Sequence, residues 1–284
     1  MRKLIIAAGA ALVMAGIIAA PAFAAVRQVG QETGDIFYTA DYGYCETFDA
    51  EGYHDWVGGR YGTTSNKEVS GALGYINAAT DLTDCTPTPL WGDGGVSGWS
   101  SVVEDHTWEI IQIGVIICEN PYDPSYSPCK SHPGDRRIFW AWGRAPNTPG
   151  CPSSGKRPIA IDLGPASTGR HVYRIDFDSD SVQGYVDGQL KVGPVSTVNM
   201  CWLYNSTNNQ AEWKFERWDG GDGSGSSGDH VVFDGIQMRT VPDGSYGGAW
   251  SVTPDLWMSS TDSEQHYSET SGNSFQAWTI QTSQ

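Results

Sequence analysis

Residues 171–188 read His171-Val-Tyr-Arg-Ile-Asp-Phe177, then Asp178-Ser-Asp180, then Ser181-Val-Gln-Gly-Tyr-Val-Asp-Gly188. Apolar and polar side chains alternate on both sides of the central Asp-Ser-Asp. Successive side chains of a strand point to opposite faces, so this alternation is typical of strands with one buried face. The Asp-rich centre and the later Asp-Gly pair are turn signals. The stretch therefore predicts a β-hairpin followed by a second tight turn.

Short strand patterns with the same period recur along the chain, and Pro/Gly-rich segments separate them. Many short antiparallel strands without a long helical pattern predict an all-β antiparallel β-sandwich or jelly roll. We expect one sandwich domain within residues 25–240, its strands starting near residue 35, and a polar, partly ordered C-terminal extension over 241–284. The predicted strands are 36–39, 69–76, 108–118, 138–144, 159–163, 171–177, 181–188, 200–204, 211–218, 231–240 and 275–280.

Residues 1–24 have the organisation of a secretory signal peptide. A basic Met-Arg-Lys start precedes an apolar run over 4–20, and Ala22-Phe-Ala24 is a small-x-small cleavage site. A membrane anchor is the alternative, but Pro21 and the Ala-x-Ala ending favour cleavage. We therefore expect a secreted, extracellular protein that has no membrane contact after cleavage and is a monomer.

The charge of the chain is strongly acidic. Loss of Arg2 and Lys3 with the leader changes the formal net charge from −16 to −18 (−16 − 2). Such a chain repels phosphate backbones, and no basic stripe is interleaved with aromatic residues, so nucleic acid is disfavoured as a partner.

The chain has 6 cysteines, all after the leader. An even number in an oxidising compartment predicts disulfides, while their connectivity stays open. Our first choice is Cys118–Cys129, followed by Cys45–Cys85 and Cys151–Cys201. No Cys-x-x-Cys or His spacing is typical of a metal site, so no metal and no cofactor are expected. Asp219, Asp222 and Asp229 are an alternative Ca²⁺ site, but they lack the oxygen spacing of a known loop.

Residues 210–218 read Gln-Ala-Glu-Trp-Lys-Phe-Glu-Arg-Trp. Alternation puts three apolar side chains on one strand face and three charged side chains on the other. We expect a half-buried strand with an apolar floor and a charged upper face. The apolar side chains are Ala211, Trp213 and Phe215, and the charged ones are Glu212, Lys214 and Glu216.

A second strand, 108–117, carries one polar side chain, Gln112, on a face that is otherwise apolar or glycine. A carboxylate on one strand and an amide on another, each next to Trp, form the candidate site. The structural alternative is that Glu212 is a solvated strand carboxylate near Lys214. Gln112 would then be a buried amide satisfied by backbone groups.

The hairpin at 171–188 resembles a recurring hairpin of concanavalin-A-like lectin and glucanase domains. The resemblance implies a concanavalin-A-like antiparallel β-sandwich (jelly roll), which the expected disulfides would cross-link. In laminarinase-type glycoside hydrolases of that fold, the catalytic strand carries Glu-x-Asp-x-x-Glu, with the carboxylates on one face. The nearest match here is Glu104-Asp-His-Thr-Trp-Glu109. Glu104 and Asp105 are adjacent and point to opposite faces, so glycosidase activity is less expected.

Four short motifs, in order, resemble the eqolisin-type glutamic peptidases over about residues 95–240. The motifs are Ile110-Ile-Gln-Ile-Gly-Val115, Phe139-Trp-Ala-Trp142, Gln210-Ala-Glu-Trp213 and Val232-Phe-Asp-Gly-Ile236. The chain departs from the family at Ala141, where the family carries Glu. It also has Gly98-Trp-Ser-Ser101 in place of a Trp-Val-Gly-x-Asp-Gly turn.

The resemblance implies a secreted, acid-acting endopeptidase with Gln112 and Glu212 as catalytic residues and a polypeptide as substrate. The residue types suit that chemistry. Glu212 would take a proton from the attacking water and return it to the leaving amine. The Gln112 amide would donate a hydrogen bond to the developing oxyanion.

Three tryptophans are the predicted substrate-binding residues: Trp99, Trp140 and Trp142. Trp140 and Trp142 share a strand face and would stack on a ligand if that face were exposed. A non-catalytic carbohydrate-binding module with these rings on a glycan is the alternative function.

Overall fold

The computed structural model describes residues 54–62, 67–77, 82–83, 95–104, 110–118, 135–143, 159–178, 181–196, 209–218, 223–224, 230–242, 247–252, 256–260, 265–271 and 273–279. In these ranges the regular structure is entirely β. The strands are β1 (His54–Gly62), β2 (Lys67–Asn77), β3 (Leu82–Thr83), β4 (Gly95–Glu104), β5 (Ile110–Cys118), β6 (Arg136–Gly143), β7 (Ile159–Pro165), β8 (Arg170–Asp178), β9 (Ser181–Val186), β10 (Gln189–Ser196), β11 (Asn209–Trp218), β12 (Gly223–Ser224), β13 (Val231–Pro242), β14 (Trp250–Val252), β15 (Trp257–Ser260), β16 (Gln265–Ser271) and β17 (Ser274–Thr279).

Two antiparallel sheets form the sandwich. The first sheet has the order β15-β1-β11-β4-β5-β6-β7, and the second has the order β10-β9-β8-β2-β13-β17-β16, with β14 beside β13. The predicted all-β antiparallel sandwich of concanavalin-A-like, jelly-roll type is therefore confirmed. The predicted hairpin is β8 and β9, and its following turn at Asp187 and Gly188 leads into β10.

Two tryptophans of the first sheet pack into glycine notches of the second. A Cβ atom at Gly74 would lie 2.8 Å from Cδ1 of Trp213, and one at Gly184 would lie 2.7 Å from Cζ3 of Trp140. Trp213 Nε1 also donates a hydrogen bond to the Leu73 carbonyl oxygen at 3.1 Å across the sandwich. The two sheets approach closely here because neither glycine carries a side chain.

The segment after residue 240, which is expected to be a polar and partly ordered extension, contributes strands to both sheets where the structure describes it. β15 pairs with β1 at one end of the first sheet, and β17 pairs with β13 in the second. Phe275 and Ala277 are fully buried, and the Phe275 ring stacks on Phe233 with centroids 4.5 Å apart. Few apolar side chains among many Ser, Thr and Gln produce a weak sequence pattern, although those few complete the core.

Several predictions lie outside the described residues. They include the strands at 36–39 and 200–204, the cysteine side chains, and the three aspartates of the alternative Ca²⁺ site. The strand β4, which begins at Gly95, is not among the predicted strands. Among the described residues, no helix has the length and hydropathy needed to cross a membrane.

The edge strand β10 pairs irregularly with β9. The register shifts between Leu190 and Val192 and again between Val192 and Val195. Lys191 and Pro194 on this strand are exposed.

The turn after β9 is tied to β8 through Asp187. The Asp187 amide donates to the Val172 carbonyl oxygen and the Val172 amide donates to Asp187 Oδ1, both at 2.9 Å. Partial burial acts to raise the pKa of the Asp187 carboxyl. The hydrogen bonds from Val172 and His171 and the charges of His171 and Lys191 outweigh it, so the pKa lies below its ordinary value.

Because the pKa of Asp187 is lower in the folded protein, its carboxylate stabilises the fold above the ordinary Asp pKa, and that stabilisation is lost as the pH falls through the lowered pKa. We expect Asp187→Asn to be less stable than the wild type at neutral pH, with the difference shrinking below about pH 4. Asn tolerates the positive φ of 51° at this position. Urea unfolding of both proteins between about pH 3 and 7 measures the effect, and a difference that grows on acidification contradicts it.

Gly184→Ala should destabilise the protein by about 1–3 kcal/mol, since the added methyl overlaps the Trp140 ring. Trp140→Phe in the same chain should recover much of this loss because the smaller ring makes room for the methyl. Trp140 Nε1 is buried without a hydrogen-bond partner among the described residues, so the Phe replacement sacrifices no bond there. Urea unfolding of the two single variants and the double variant checks the coupling. Strictly additive effects would contradict the proposed contact.

Candidate functional site

One row of residues crosses the middle of the first sheet. The strand pairings place Arg60 opposite Glu212, Glu212 opposite Ser101, Ser101 opposite Gln112, and Gln112 opposite Ala141. Residues directly opposite each other on paired strands share a face. The structure therefore brings Glu212 and Gln112 to the same face and row, with β4 between their strands. Two strand spacings put their Cα atoms about 10 Å apart.

This row lies on the face of the first sheet that points away from the second sheet, which we call the outer face. Alternate residues of the same strands, Ile111, Ile113 and Trp213, lie in the core between the sheets. The predicted division of both strands into two faces is thus correct.

The outer face is buried, which differs from the charged upper face of a half-buried strand that the sequence predicts. Glu212 is 2 % exposed, Lys214 5 % and Gln112 8 %. A second apolar cluster surrounds these polar groups and includes Trp99, Ile116 and Phe139. Alternation identifies which side chains share a face, but it does not show how deeply that face is buried. Glu212 is therefore not a solvated strand carboxylate.

The Glu212 carboxylate forms a buried ion pair. Lys214 Nζ lies 3.0 Å from Glu212 Oε2. A buried charge is tolerated when an opposite charge and hydrogen bonds compensate its lost hydration. Gly58 lies opposite Lys214 on β1, where a Cβ atom would be 2.9 Å from Lys214 Cγ. Because Gly58 has no side chain, the aliphatic part of Lys214 can pack against it on this face.

Trp99 joins the ion pair to a second carboxylate. Its Nε1 donates to Glu216 Oε2 at 2.8 Å, and Lys214 Nζ lies 5.7 Å from the centre of its ring. The latter distance is within the range of a cation–π contact. Gly114 is opposite Trp99, and a Cβ atom there would be 2.7 Å from Trp99 Cβ. Trp99 thus lies on the same face as Glu212, with its ring buried and its N–H bonded.

Ser101 occupies the position between Glu212 and Gln112. Its side chain is fully buried, and its Oγ has no hydrogen-bond partner among the described residues. A buried hydroxyl without a partner costs about 1–3 kcal/mol. The hydrogen-bonding capacity of this hydroxyl is therefore unused at the centre of the row.

Trp140 and Trp142 do not line the outer face, so their prediction as ligand-stacking residues is wrong. Trp140 is fully buried in the core, and Trp142 is half-buried and packs against the same core. The two rings share a face as predicted, but this face is turned toward the second sheet. Their neighbours Phe139 and Ala141 lie on the outer face instead.

The sequence reasoning missed Arg60, Ser101 and an ion pair at the far side of the outer face. Arg60 is 4 % exposed and belongs to a Gly-rich stretch without clear alternation. Arg137 and Asp162 form a bidentate salt bridge, with Nη2–Oδ2 at 2.6 Å and Nε–Oδ1 at 3.1 Å. The sequence around Arg60 carries no clear strand pattern. Its position opposite Glu212 follows only from the pairing of β1 with β11.

The described residues contain no group of three or more His, Cys, Asp or Glu side chains arranged to hold a metal ion. The charged side chains on the outer face are instead of both signs. Cations and carboxylates alternate from Arg60 through Glu212 and Lys214 to Glu216.

No family model and no curated protein matches the sequence. Solved structures with a similar fold include a Bacteroides ovatus glycoside hydrolase family 16 enzyme in complex with a glucan product, at 11 % identity and a TM-score of 0.36, covering 57 % of this chain and 66 % of that chain. The laminarinase catalytic domain of Thermotoga maritima has 11 % identity and a TM-score of 0.35, covering 87 % and 84 %. An alginate lyase from Alteromonas sp. 272 has 12 % identity and a TM-score of 0.35, covering 64 % and 78 %. Similarities at this level assign neither a family nor a reaction to the chain.

Removing one member of the buried ion pair should be more harmful than removing both charges. Lys214→Met removes the cation that lies 3.0 Å from Glu212 Oε2, and we expect a loss of about 3 kcal/mol in the free energy of unfolding. The double variant Lys214→Met/Glu212→Gln should lose less. Urea unfolding at neutral pH measures all three proteins. A double variant that loses the sum of the two single effects would contradict the pairing.

Proposed function

We propose that the protein is a secreted hydrolase of polypeptides in which Glu212 activates water and Gln112 stabilises the oxyanion. The observation that carries the proposal is the shared row: a buried carboxylate and a buried amide on one face, with the unbonded Ser101 hydroxyl between them among the described residues. The ordered motifs that resemble the glutamic peptidases are a second, sequence-based support.

The reaction needs a base in its charged form before the attack. Lys214 Nζ, 3.0 Å from Glu212 Oε2, places a positive charge beside this base. The carboxylate takes a proton from water as the water oxygen attacks the scissile carbonyl carbon. The carboxyl group then returns this proton to the leaving amine, so that the base is regenerated.

Gln112 would contact the scissile carbonyl from the side opposite Glu212. A carbonyl above Ser101 would have Glu212 on one side and Gln112 on the other, since neighbouring strands are about 5 Å apart. The Gln112 side-chain N–H donates to the carbonyl oxygen as it becomes negative. A donor of this kind typically contributes about 3 kcal/mol. Ser101 Oγ supplies a third hydrogen-bonding group at the centre.

A glycan is the second candidate substrate, and Glu216 is the feature that favours it. Glu212 and Glu216 are both buried on the outer face of one strand, with Lys214 between them. Paired carboxylates on one face perform glycoside hydrolysis, one as acid and one as nucleophile or base. This candidate replaces a binding module based on Trp140 and Trp142, whose rings lie toward the core.

A degradation assay between about pH 2 and 7 distinguishes the two proposed reactions, because each pairs Glu212 with a different second catalytic residue. That residue is Gln112 for a polypeptide and Glu216 for a glycan. The wild type and its variants are incubated with an unfolded protein and, separately, with a mixed-linkage β-glucan. For a peptidase we expect cleavage of the protein at acid pH, as the family resemblance implies, and insensitivity to pepstatin. Glu212→Gln should abolish cleavage, and Gln112→Ala should lower it about a hundredfold.

Glu216→Gln is the matched control, because it changes a second buried carboxylate on the same strand face. It should retain protein cleavage, whereas on the glucan both Glu212→Gln and Glu216→Gln would be inactive and Gln112→Ala active. Thermal melting confirms that each variant is folded. A folded wild type that cleaves neither substrate at any pH refutes both proposals.

A further inference from the structure

Three side chains at one end of β8 and β9, in the second sheet, form a continuous hydrogen-bond chain. None of them lies on the strands that carry Glu212 and Gln112. Ser167 Oγ lies 2.8 Å from His171 Nε2, and His171 Nδ1 lies 2.7 Å from Asp187 Oδ2. Ser167 is in the connection between β7 and β8, His171 is the second residue of β8, and Asp187 is in the turn after β9. The pairing of Tyr173 with Val186 brings that turn to the beginning of β8.

The hydrogen-bond chain fixes the tautomer of His171. An ionised carboxylate can only accept hydrogen bonds, so His171 Nδ1 must carry the proton that Asp187 Oδ2 receives. In the neutral imidazole Nε2 is then the acceptor, and the Ser167 hydroxyl donates to it. This is the arrangement in which a histidine withdraws a proton from a serine.

Asp187 is held in place independently of His171. Its Oδ1 accepts the Val172 amide at 2.9 Å, and its backbone amide donates to the Val172 carbonyl. The φ angles of 51° at Asp187 and 76° at Gly188 are those of a tight turn with two left-handed residues. A carboxylate with both oxygens bonded on a closed turn keeps the imidazole in one orientation.

The residue before the serine is held by a backbone hydrogen bond, and the serine itself is open to solvent. The preceding residue, Ala166, donates its amide to the Arg136 carbonyl oxygen at 2.8 Å. Ser167 itself is exposed. A Cβ atom at Gly169, two residues later, would meet nothing within 4 Å. A small electrophile can therefore approach Ser167 Oγ from solvent.

We propose that Ser167 is an activated nucleophile, oriented and deprotonated by His171 and Asp187, that accepts acyl groups from small activated esters. Nucleophile–base and base–orienter hydrogen bonds are the two contacts that define such a triad on any fold. The site is separate from the outer face of the first sheet, because all three residues belong to the second sheet and its connections.

The acylation step balances within these residues. Ser167 Oγ forms a bond to the acyl carbon as its proton moves to His171 Nε2. The ester C–O bond breaks, and the leaving alcohol or phenol takes the proton from Nε2. Water then attacks the acyl carbon with His171 as base, the Oγ–C bond breaks, and the serine recovers its proton.

The test uses the full mature chain, p-nitrophenyl acetate and a fluorophosphonate probe, with intact mass and peptide mapping to locate the label. Thr168→Ala is the matched control for Ser167→Ala, since Thr168 is the exposed, hydroxyl-bearing neighbour in the same connection. We expect the wild type and Thr168→Ala to be labelled at Ser167 with equal rates, and Ser167→Ala to lose the label. Asp187→Asn keeps an acceptor for Val172 but presents an amide to His171, so labelling should slow at least about tenfold.

Thermal melting shows that the compared proteins are folded, and the Ser167→Ala comparison does not depend on the turn. A folded wild type that takes no label overturns the proposal. A label that persists unchanged in Ser167→Ala overturns it as well. These outcomes leave the Glu212 and Gln112 assignment untouched, because that assignment is measured on protein cleavage.

Discussion

The insertion of Trp213 into the notch at Gly74 is the contact on which the arrangement of the first sheet depends. Trp213 is fully buried, and its indole N–H bonds to the second sheet through the Leu73 carbonyl. Successive side chains of a strand alternate, so a ring fixed toward the core forces Glu212 and Lys214 to the opposite face. The charged groups of β11 are therefore positioned by an apolar contact on the other side of the same strand.

The charged side chains of the outer face are buried, so other groups of the protein have to compensate for their lost hydration. They do so by local pairing, with Glu212 on Lys214 and Glu216 on the Trp99 indole. Two glycines, Gly58 and Gly114, lie beside the lysine and the tryptophan and leave room for their side chains. The centre of the outer face is therefore both closely packed and polar.

Local sequence patterns were enough to predict the hairpin and the two faces of β5 and β11, because alternation and turn residues act over a few positions. They could not predict which face of β6 meets the second sheet, so Trp140 and Trp142 were assigned to a ligand instead of the core. The shared row of Glu212 and Gln112 also depends on β4 lying between their strands in a defined register. Arg60 and the strands β14, β15 and β16 were missed since the apolar residues around them are few, whereas β17 was predicted.

The irregular edge strand β10 has a consequence for the behaviour of the protein at high concentration. A regular exposed edge offers its backbone to the edge of another molecule, and open sheets can grow in this way into fibres. Pro194 has no amide proton to offer, Lys191 places a positive charge beside it, and the two register shifts bend the strand out of line. Growth of the second sheet by addition of a foreign strand is therefore blocked at this end of the molecule.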